Sequence, residues 1–326
     1  MDLSVLFLGT AGSMPTVKRA PASLLLRRGG DRLLIDCGEG TQRQLLRSIG
    51  LPDVEHVLLT HFHADHFLGL PGMMKTFALR GRETPLTVYG PRGLRALMSD
   101  LHRIYGKLTY DVRLVELAPN DAVELDGYRV GAFAVAHRTE ALGYALVEDA
   151  RPGRFDPARA VALGVAPGPQ FGVLQRGEAI AAADRTVRPE DVMGDPRPGR
   201  KLVFTGDTEP CDSTVAIAHD AELLVHDGTF AEEETERARQ TGHSTARQAA
   251  EVARAARVSM LALTHLSSRY FASVIEKEAR AVFEQTVVPR DFDVIEVPYR
   301  ERGEPLPMSL REHRERARPA EVPNPG

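Results

Sequence analysis

The sequence predicts an α/β protein in which helices cover the faces of a mixed β-sheet. Short apolar runs of strand length recur along the chain, for example at 3–8, 54–59 and 201–204, and each stops at a turn. Segments with helical periodicity alternate with them, for example at 41–49 and 69–79. With 326 residues and 43% hydrophobic content, the chain is long enough to bury a core of this kind.

The first 60 residues read as three strands, a helix and a fourth strand. Residues 3–8 form an apolar run that stops at Gly9. Gly29-Gly30 separates two further runs and indicates a hairpin, at 22–26 and 33–35. The helical segment 41–49 ends before Gly50. The next run, 54–59, leads directly into Thr60-His61, so that these two residues lie where a strand ends.

The same alternation continues to about residue 147. Helices are predicted at 69–79 and 92–104, and the second begins close to Pro91. Further strands are predicted between and after these helices, at 86–89, 113–117, 128–136 and 143–147.

Three strands in the second half also end in polar residues. The run 201–204 precedes Thr205-Gly206-Asp207, the run 221–225 precedes His226-Asp227, and the run 260–263 precedes Thr264-His265. Helices follow at 232–239 and 246–256, the latter with Ser244 or Thr245 as its capping residue. The charged, proline-bearing stretch 306–326 is predicted to be a loosely ordered tail after a catalytic domain of residues 1–305.

Composition excludes several classes of protein. Two cysteines exclude a disulfide scaffold, and no apolar run approaches the roughly 20 residues that a membrane span needs. The N-terminal residues lack the basic segment of a signal peptide. A cytoplasmic protein without a membrane partner is therefore expected. The net charge of -4 means that a nucleic-acid partner requires a local basic patch.

The segment from about 151 to 200 differs from its surroundings. Residues 151–201 hold 14 Gly and Pro, and they hold nine Lys and Arg against six Asp and Glu, which gives a net charge of about +3. This composition predicts an inserted, flexible arm and not a layer of the core. A solvated insertion without function is the alternative.

Four potential metal ligands lie within six residues: His61, His63, Asp65 and His66. Imidazole and carboxylate groups suit zinc and similar divalent ions. Positions i, i+2, i+4 and i+5 do not share one helix face, so they converge only from a loop at a strand end whose last members enter a helix. Their spacing divides them into the pairs His61/His63 and Asp65/His66, which predicts two adjacent metal ions.

Two adjacent metals need further ligands and commonly one that bridges them. Asp207, His265 and His137 each follow a predicted strand, and the carboxyl ends of strands carry the ligand crevices of open α/β sheets. Gly206 allows a close backbone approach before Asp207. His226 and Asp227 also end a strand and are predicted to orient ligands.

These motifs resemble the metallo-β-lactamase superfamily, whose shared motif is His-x-His-x-Asp-His, and within it the ribonuclease Z family of tRNA 3′-processing endonucleases. Matching blocks extend from about residue 5 to about residue 270. They begin with residues 7–13 and Asp36-Cys37-Gly38-Glu39-Gly40-Thr41, and they include Gly206-Asp207-Thr208, Gly242-His243-Ser244-Thr245 and Thr264-His265-Leu266-Ser267-Ser268-Arg269-Tyr270.

The resemblance implies a four-layer αββα metallo-β-lactamase sandwich that holds two Zn²⁺ per subunit. It implies that His61, His63 and His137 bind one zinc, that Asp65, His66 and His265 bind the other, and that Asp207 bridges them. Asp65 is the implied proton acceptor, and His243 contacts the scissile phosphate or protonates the leaving oxygen. The implied reaction cuts precursor tRNA after the discriminator nucleotide and leaves a 3′-hydroxyl on the tRNA and a 5′-phosphate on the trailer.

The resemblance also implies that the arm binds tRNA across a homodimer and that its Gly168-Pro169 belongs to the contact. Lys18 and Arg19 are candidate substrate contacts in a loop that family members link to the RNA 3′ end. That loop lacks the Asn which often follows Lys-x-Arg in the family, and this puts the treatment of CCA ends in question.

Two other functions are compatible with the residues. A superfamily hydrolase of small phosphodiesters, aryl sulfates or lactones would use the same metal ligands. A catalytically silent RNA-binding relative would keep the fold, although the complete ligand set argues against it.

Overall fold

The first 125 residues of the chain alternate strands and helices as expected. The computed structural model describes residues 2–182 and 185–317. Strands and helices of the N-terminal part are β1 Leu3–Gly9, β2 Ser23–Arg28, β3 Asp31–Ile35, α1 Thr41–Ser48, β4 His56–Leu58, α2 Ala64–Phe67, α3 Gly69–Leu79, β5 Leu86–Gly90, α4 Leu94–Tyr105, β6 Val112–Glu116 and β7 Ala122–Leu125.

Two long strands follow, and then the inserted segment. The strands are β8 Tyr128–Ala134 and β9 Leu142–Glu148. The insertion contains α5 Pro157–Ala162, α6 Pro169–Gln175, β10 Ile180–Ala182, β11 Arg185–Val187 and α7 Pro189–Val192.

The C-terminal part returns to regular alternation. Its elements are β12 Lys201–Phe204, α8 Asp212–Ala218, β13 Leu223–Asp227, α9 Thr235–Thr241, α10 Ala246–Ala256, β14 Met260–Thr264, α11 Ala272–Arg280, β15 Thr286–Val287, β16 Asp293–Glu296, β17 Leu306–Ser309 and α12 Leu310–Ala317. As expected, Thr245 caps α10: its hydroxyl accepts from the Gln248 amide, and the Gln248 side chain accepts from the Thr245 amide.

Two large mixed sheets organise the catalytic part. One has the strand order β17-β16-β1-β2-β3-β4-β5-β6, and the other has the order β15-β14-β13-β12-β9-β8-β7. Apolar side chains of α1, α3 and α4 pack on the first sheet, for example Leu45, Met73 and Met98. Side chains of α8, α10 and α11 pack on the second, for example Ala250 and Ile275. The predicted four-layer αββα sandwich is therefore confirmed.

The insertion is more ordered than its composition suggests. Residues 126–129 and 147–199 form a separate compact unit. Within it, Ala160, Val165, Leu174, Val187 and Val192 are buried together. The two chain segments at its base pair through bridges between Arg151 and Arg197 and between Phe155 and Met193. The insertion thus has a small core, which a solvated linker lacks.

The prediction of a loosely ordered tail is wrong for residues 306–317. β17 pairs antiparallel with β16, and α12 continues from it. Pro307 is compatible with this strand because β17 lies at the sheet edge, where the missing N–H of proline costs no ladder bond. Residues 318–326 lie outside the described residues. No helix in the described part of the chain is long and apolar enough to cross a membrane.

Candidate metal centre

The predicted ligands come from both sheets and meet where strands end. His61 and His63 lie in the loop after β4, and Asp65 and His66 lie on the short helix α2. The other sheet contributes the remaining three, which follow β8, β12 and β14: His137, Asp207 and His265. The structure brings all seven residues into neighbouring clusters.

The first cluster contains three imidazoles and one carboxylate. Ligand atoms of His61, His63, His137 and Asp207 all lie within 4.8 Å of one another. His61 Nε2 is 3.7 Å from Asp207 Oδ2 and 2.9 Å from His63 Nδ1. His137 Nε2 is 3.3 Å from His63 Nδ1. Three nitrogens and one oxygen around a single point are a donor set that suits zinc.

The second cluster lies on the other side of Asp207. Ligand atoms of Asp65, His66 and His265 lie within 4.8 Å of one another. Asp207 Oδ1 is 3.4 Å from His66 Nε2 and 3.3 Å from His265 Nε2, while its Oδ2 faces the first cluster. One carboxylate therefore presents a different oxygen to each cluster, as a ligand shared by two ions does.

Two buried polar atoms at this point have no hydrogen-bond partner, His66 Nε2 and Asp207 Oδ1. Such atoms are costly inside a protein unless something binds them. Both lie among the other possible ligand atoms of the clusters. An imidazole nitrogen and a carboxylate oxygen are atoms that commonly bind metal ions. The residues present therefore fit a pair of divalent ions.

Asp36 and Thr60 hold the rings of His61 and His66 at Nδ1, on the side away from the clusters. His66 Nδ1–H donates to Asp36 Oδ2 at 2.7 Å, and the Thr60 amide donates to Asp36 Oδ1 at 2.8 Å. The Thr60 hydroxyl donates to Asp36 and lies 3.0 Å from His61 Nδ1, which donates to it. Both rings are thereby fixed with Nε2 facing the clusters. The sequence assigned Asp36 no role, although it follows a strand directly and opens one of the blocks that resemble the family.

Asp227 and Thr229 support the opposite side in the same way. His265 Nδ1 lies 2.8 Å from the Thr229 hydroxyl, which donates to Asp227 Oδ1 at 2.6 Å. His243 Nδ1 lies 2.8 Å from Asp227 Oδ2, and the His243 and His265 rings stack at 5.1 Å. Asp227 thus orients both rings, as its position after a strand predicted. Thr229 had no sequence signal.

His226 does not share this role. Its Nδ1 donates to the backbone oxygen of Asp227 at 2.9 Å, its Nε2 has no partner, and its side chain is fully buried. Burial lowers the pKa of His226 below its ordinary value. No contact in the described residues links its side chain to the clusters.

Charge at the centre is dominated by ionised carboxylates. Burial raises the pKa of Asp207, but His265 and His66 outweigh it and lower that pKa well below its usual value. Burial also raises the pKa of Asp65, but hydrogen bonds with His265 and His66 together have the larger effect. The pKa of Asp65 is therefore below its usual value. Burial lowers the pKa of His61, which favours the neutral imidazole that a metal requires.

His243 differs from the ligand histidines. Burial lowers its pKa, but the Asp227 carboxylate outweighs burial and raises the pKa to about 9. The ring therefore carries a proton at neutral pH, with Nδ1 bound to Asp227 and Nε2 directed elsewhere. A protonated imidazole beside a metal cluster is able to donate a hydrogen bond or a proton to a phosphate oxygen.

Backbone conformation brings two ligands close to the centre. His265 has a positive φ of 59°, and the backbone bonds from Leu266 to Thr10 and from Gly12 to Leu266 hold that strained turn. Gly206 has a φ of 62°, and a Cβ there would lie 2.8 Å from the Thr60 side chain. Glycine is therefore required before Asp207, as the sequence predicted.

Lys18 and Arg19 differ in their surroundings. They lie in the loop whose Ser13 amide donates to Asp65 Oδ2 at 2.9 Å, and Lys18 is exposed there. Arg19 instead points inward and donates to the Thr10 hydroxyl at 2.5 Å and to the Pro289 carbonyl at 2.7 Å. These hydrogen bonds within the protein hold the loop, and the expected contact of Arg19 with RNA stays a prediction.

Gly168 and Pro169 lie on the surface of the inserted unit. Both are exposed, and Pro169 is the first residue of α6. Gly168 has a φ of 135°, which glycine adopts readily and other residues do not. The Gly-Pro pair therefore forms a fixed, accessible turn.

Two family models match the chain. The model described as metallo-beta-lactamase superfamily matches residues 17–153, and the model described as beta-lactamase superfamily domain matches residues 185–266. A structure titled as a diphosphatase from the PhnP family shares the fold, with a TM-score of 0.62 at 17% identity, covering 91% of this chain and 98% of that one. Fold and donor set are those of metallohydrolases of the metallo-β-lactamase superfamily.

Closer relatives identify the family. Ribonuclease Z of Methanosarcina acetivorans is 48% identical over 91% of this chain and 99% of its own, and that of Haloferax volcanii is 50% identical over 92% and 96%. The structure of the short form of human tRNase Z has a TM-score of 0.67 at 27% identity, covering 90% of this chain and 99% of that one. The chain belongs to the ribonuclease Z family.

The shared carboxylate generates a prediction about metal binding. Replacing Asp207 with Ala removes one ligand from each cluster, so we expect the purified variant to lose most of both bound ions and its hydrolytic activity together. Metal content is measured by mass spectrometry after gel filtration. Asp100→Ala, an exposed carboxylate on α4, serves as the control and should keep both. Full activity in an Asp207→Ala sample of known metal content would contradict the assignment.

Proposed function

We propose that this protein is a metal-dependent endoribonuclease that removes the 3′ trailer from precursor tRNA. It cuts after the discriminator nucleotide and leaves a tRNA 3′-hydroxyl and a trailer 5′-phosphate. The observation that carries the proposal is the pair of clusters joined by Asp207, with His243 beside them, in a chain about half identical to proteins named ribonuclease Z.

Two Zn²⁺ ions are the proposed cofactors. His61, His63 and His137 would hold one, Asp65, His66 and His265 would hold the other, and Asp207 would contact both. Ions held in this way neutralise charge on a phosphate group and lower the pKa of a water molecule that attacks it. The three imidazoles in one cluster and the mixed donors in the other support zinc over magnesium, which prefers oxygen ligands.

Asp65 and His243 have the proposed catalytic roles. Asp65 is ionised, is the most exposed carboxylate of the centre at 12%, and is positioned by the Ser13 amide to accept a proton from water. His243 is held by Asp227 with its Nε2 unengaged by that bond, and its pKa of about 9 supplies a proton for the 5′-oxygen that leaves. Two groups with opposite protonation states at neutral pH are what acid–base catalysis requires.

The inserted unit and Lys18 are the proposed RNA contacts. The excess of positive charge in residues 151–201 suits phosphate groups, and the exposed Gly168-Pro169 turn gives a rigid surface for the tRNA. Because the family resemblance implies it, we also propose a homodimer in which the inserted unit binds tRNA across the two subunits. A cytoplasmic location is proposed because precursor tRNA is the substrate.

The decisive experiment is cleavage of a precursor tRNA with a 3′ trailer, with and without a zinc chelator. We expect one cut after the discriminator base, lost on chelation and restored by added Zn²⁺, because both clusters need an ion. The cut is mapped by sequencing both products. Hydrolysis of a small phosphodiester without any cut in the RNA would instead support the small-molecule hydrolase.

His243 is tested through the leaving group. In His243→Ala, we expect precursor tRNA cleavage to fall about 10²- to 10⁴-fold, because an alkoxide leaves without protonation. Hydrolysis of bis(p-nitrophenyl) phosphate should fall much less, because p-nitrophenolate leaves unprotonated. Equal losses on both substrates, with metal content unchanged, would show that His243 does not supply the proton.

The arm is tested by an excision that its own structure suggests. The Gly194 amide donates to the Arg154 carbonyl at 2.9 Å, so a short Gly-Ser turn joining these residues replaces 155–193 with little displacement of the ends. We expect turnover of the small phosphodiester to be kept and precursor tRNA cleavage to fall at least 100-fold at equal enzyme concentration. Gly168→Ala, which strains the turn, should reduce RNA cleavage alone. Unchanged RNA cleavage by the excised protein would exclude the arm as the RNA contact.

A further inference from the structure

A cavity of about 500 Å³ opens at the end of β1 that lies away from the metal centre. Asp2, Leu3 and Ser4 line it, whereas Gly9 at the other end of β1 leads to the loop beside His265. At about 3.3 Å per residue, the strand separates the two by roughly 20 Å. The cavity is therefore distinct from the catalytic site.

Arginine dominates the walls of this cavity. Five arginines line it against two carboxylates, Asp2 and Glu296. Both oxygens of Glu296 are already engaged, one 3.4 Å from His313 Nε2 and the other 3.6 Å from Arg316 Nη1. The lining therefore carries an excess of positive charge in a chain whose net charge is -4. The arginines are Arg27, Arg32, Arg200, Arg302 and Arg316.

Two of these guanidinium groups are held in place by the protein. Arg27 donates from Nε and Nη2 to the Ser4 hydroxyl, at 3.2 and 3.1 Å. Arg200 is only 2% exposed; its Nη1 donates to the Val297 carbonyl at 2.8 Å, and its guanidinium lies 4.1 Å from the centre of the Tyr299 ring. Fixed guanidinium groups lose little entropy when an anion binds.

Arg27 and Arg32 are directly opposite each other on paired strands, so their positive charges repel. Burial lowers the pKa of Arg27, and the neighbouring Arg32 lowers it further, while Glu296 and Asp2 raise it. An anion placed between Arg27 and Arg32 removes this repulsion. One planar guanidinium group can donate two parallel hydrogen bonds to two oxygens of the same phosphate group. Phosphate is therefore an anion that arginine recognises well.

We propose that this cavity binds a small anion of nucleotide size that carries two or more phosphate groups. Its volume lies within the range of small-molecule sites, and a nucleoside bisphosphate fills such a space. The backbone of an RNA helix is the competing occupant of an arginine-lined site, and the experiment below distinguishes it from a free ligand. The site is independent of the metal centre and of the proposed RNA cleavage.

The test is isothermal titration calorimetry of the metal-loaded protein with adenosine 3′,5′-bisphosphate at low ionic strength. We expect one site per chain outside the metal centre. In Arg32→Gln/Arg302→Gln, which alters two arginines at the exposed side of the cavity, affinity should fall about tenfold or more, because each loses a charge-assisted contact. Adenosine 5′-monophosphate should bind more weakly to the unaltered protein.

A matched double variant, Arg103→Gln/Arg254→Gln, removes two exposed arginines that do not line the cavity and should bind the probe normally. Both variants should hydrolyse bis(p-nitrophenyl) phosphate at the unaltered rate, which shows that they fold. If Arg32→Gln/Arg302→Gln loses that activity, Arg302→Gln alone provides the comparison.

Three results would overturn the proposal: no binding of the bisphosphate at millimolar concentration, equal affinity in both double variants, or slower precursor tRNA cleavage without any change in bisphosphate affinity. The last would assign the arginines to the RNA backbone.

Discussion

The centre depends on one carboxylate that two groups of ligands share. Asp207 presents Oδ2 to His61 and Oδ1 to His66 and His265, at 3.3 to 3.7 Å. His61 and His66 follow β4 of one sheet, whereas Asp207 and His265 follow strands of the other. The shared contact therefore exists only when both sheets pack with their strand ends aligned. The site therefore requires the αββα arrangement of layers. The helices on the outer faces stabilise that arrangement because they bury the other face of each sheet.

A second requirement is that each imidazole presents the correct nitrogen. Asp36 fixes His66 directly and His61 through Thr60, while Asp227 fixes His243 directly and His265 through Thr229. Each aspartate thus serves two rings, one of them through a threonine hydroxyl. The arrangement keeps Nε2 of the ligand rings facing the centre without a further buried charge for each ring, which limits the desolvation cost of the site. It also keeps a proton on His243, because Asp227 stabilises the charged ring.

Local sequence signals found the residues of the two clusters and Asp227 behind them, but not the threonines that complete the support. The spacing of His61, His63, Asp65 and His66 is incompatible with any other simple structure, and Asp207 and His265 each follow an apolar run. Thr229 carries no such signal, because its partner His265 is 36 residues away and only the tertiary fold joins them. The structural contacts of Arg19 were not foreseen for the same reason: Pro289 and Asp291, which lie beside it, are remote in sequence. Strand β17 was missed because pairing with β16, and not its own propensity, makes it a strand.

Positive charge in this protein is concentrated in limited regions of the chain. A net charge of -4 gives no general attraction for RNA, and positive charge is instead concentrated in limited regions, such as the inserted segment with its excess of about three positive charges. The arginine-lined cavity at the far end of β1 is a second group of positively charged residues, and Arg27 and Arg200 in it are engaged with protein groups. A guanidinium group at an exposed surface moves freely, whereas those of Arg27 and Arg200 are held by protein groups. The packing around an arginine therefore decides how precisely its charge is placed for an anion.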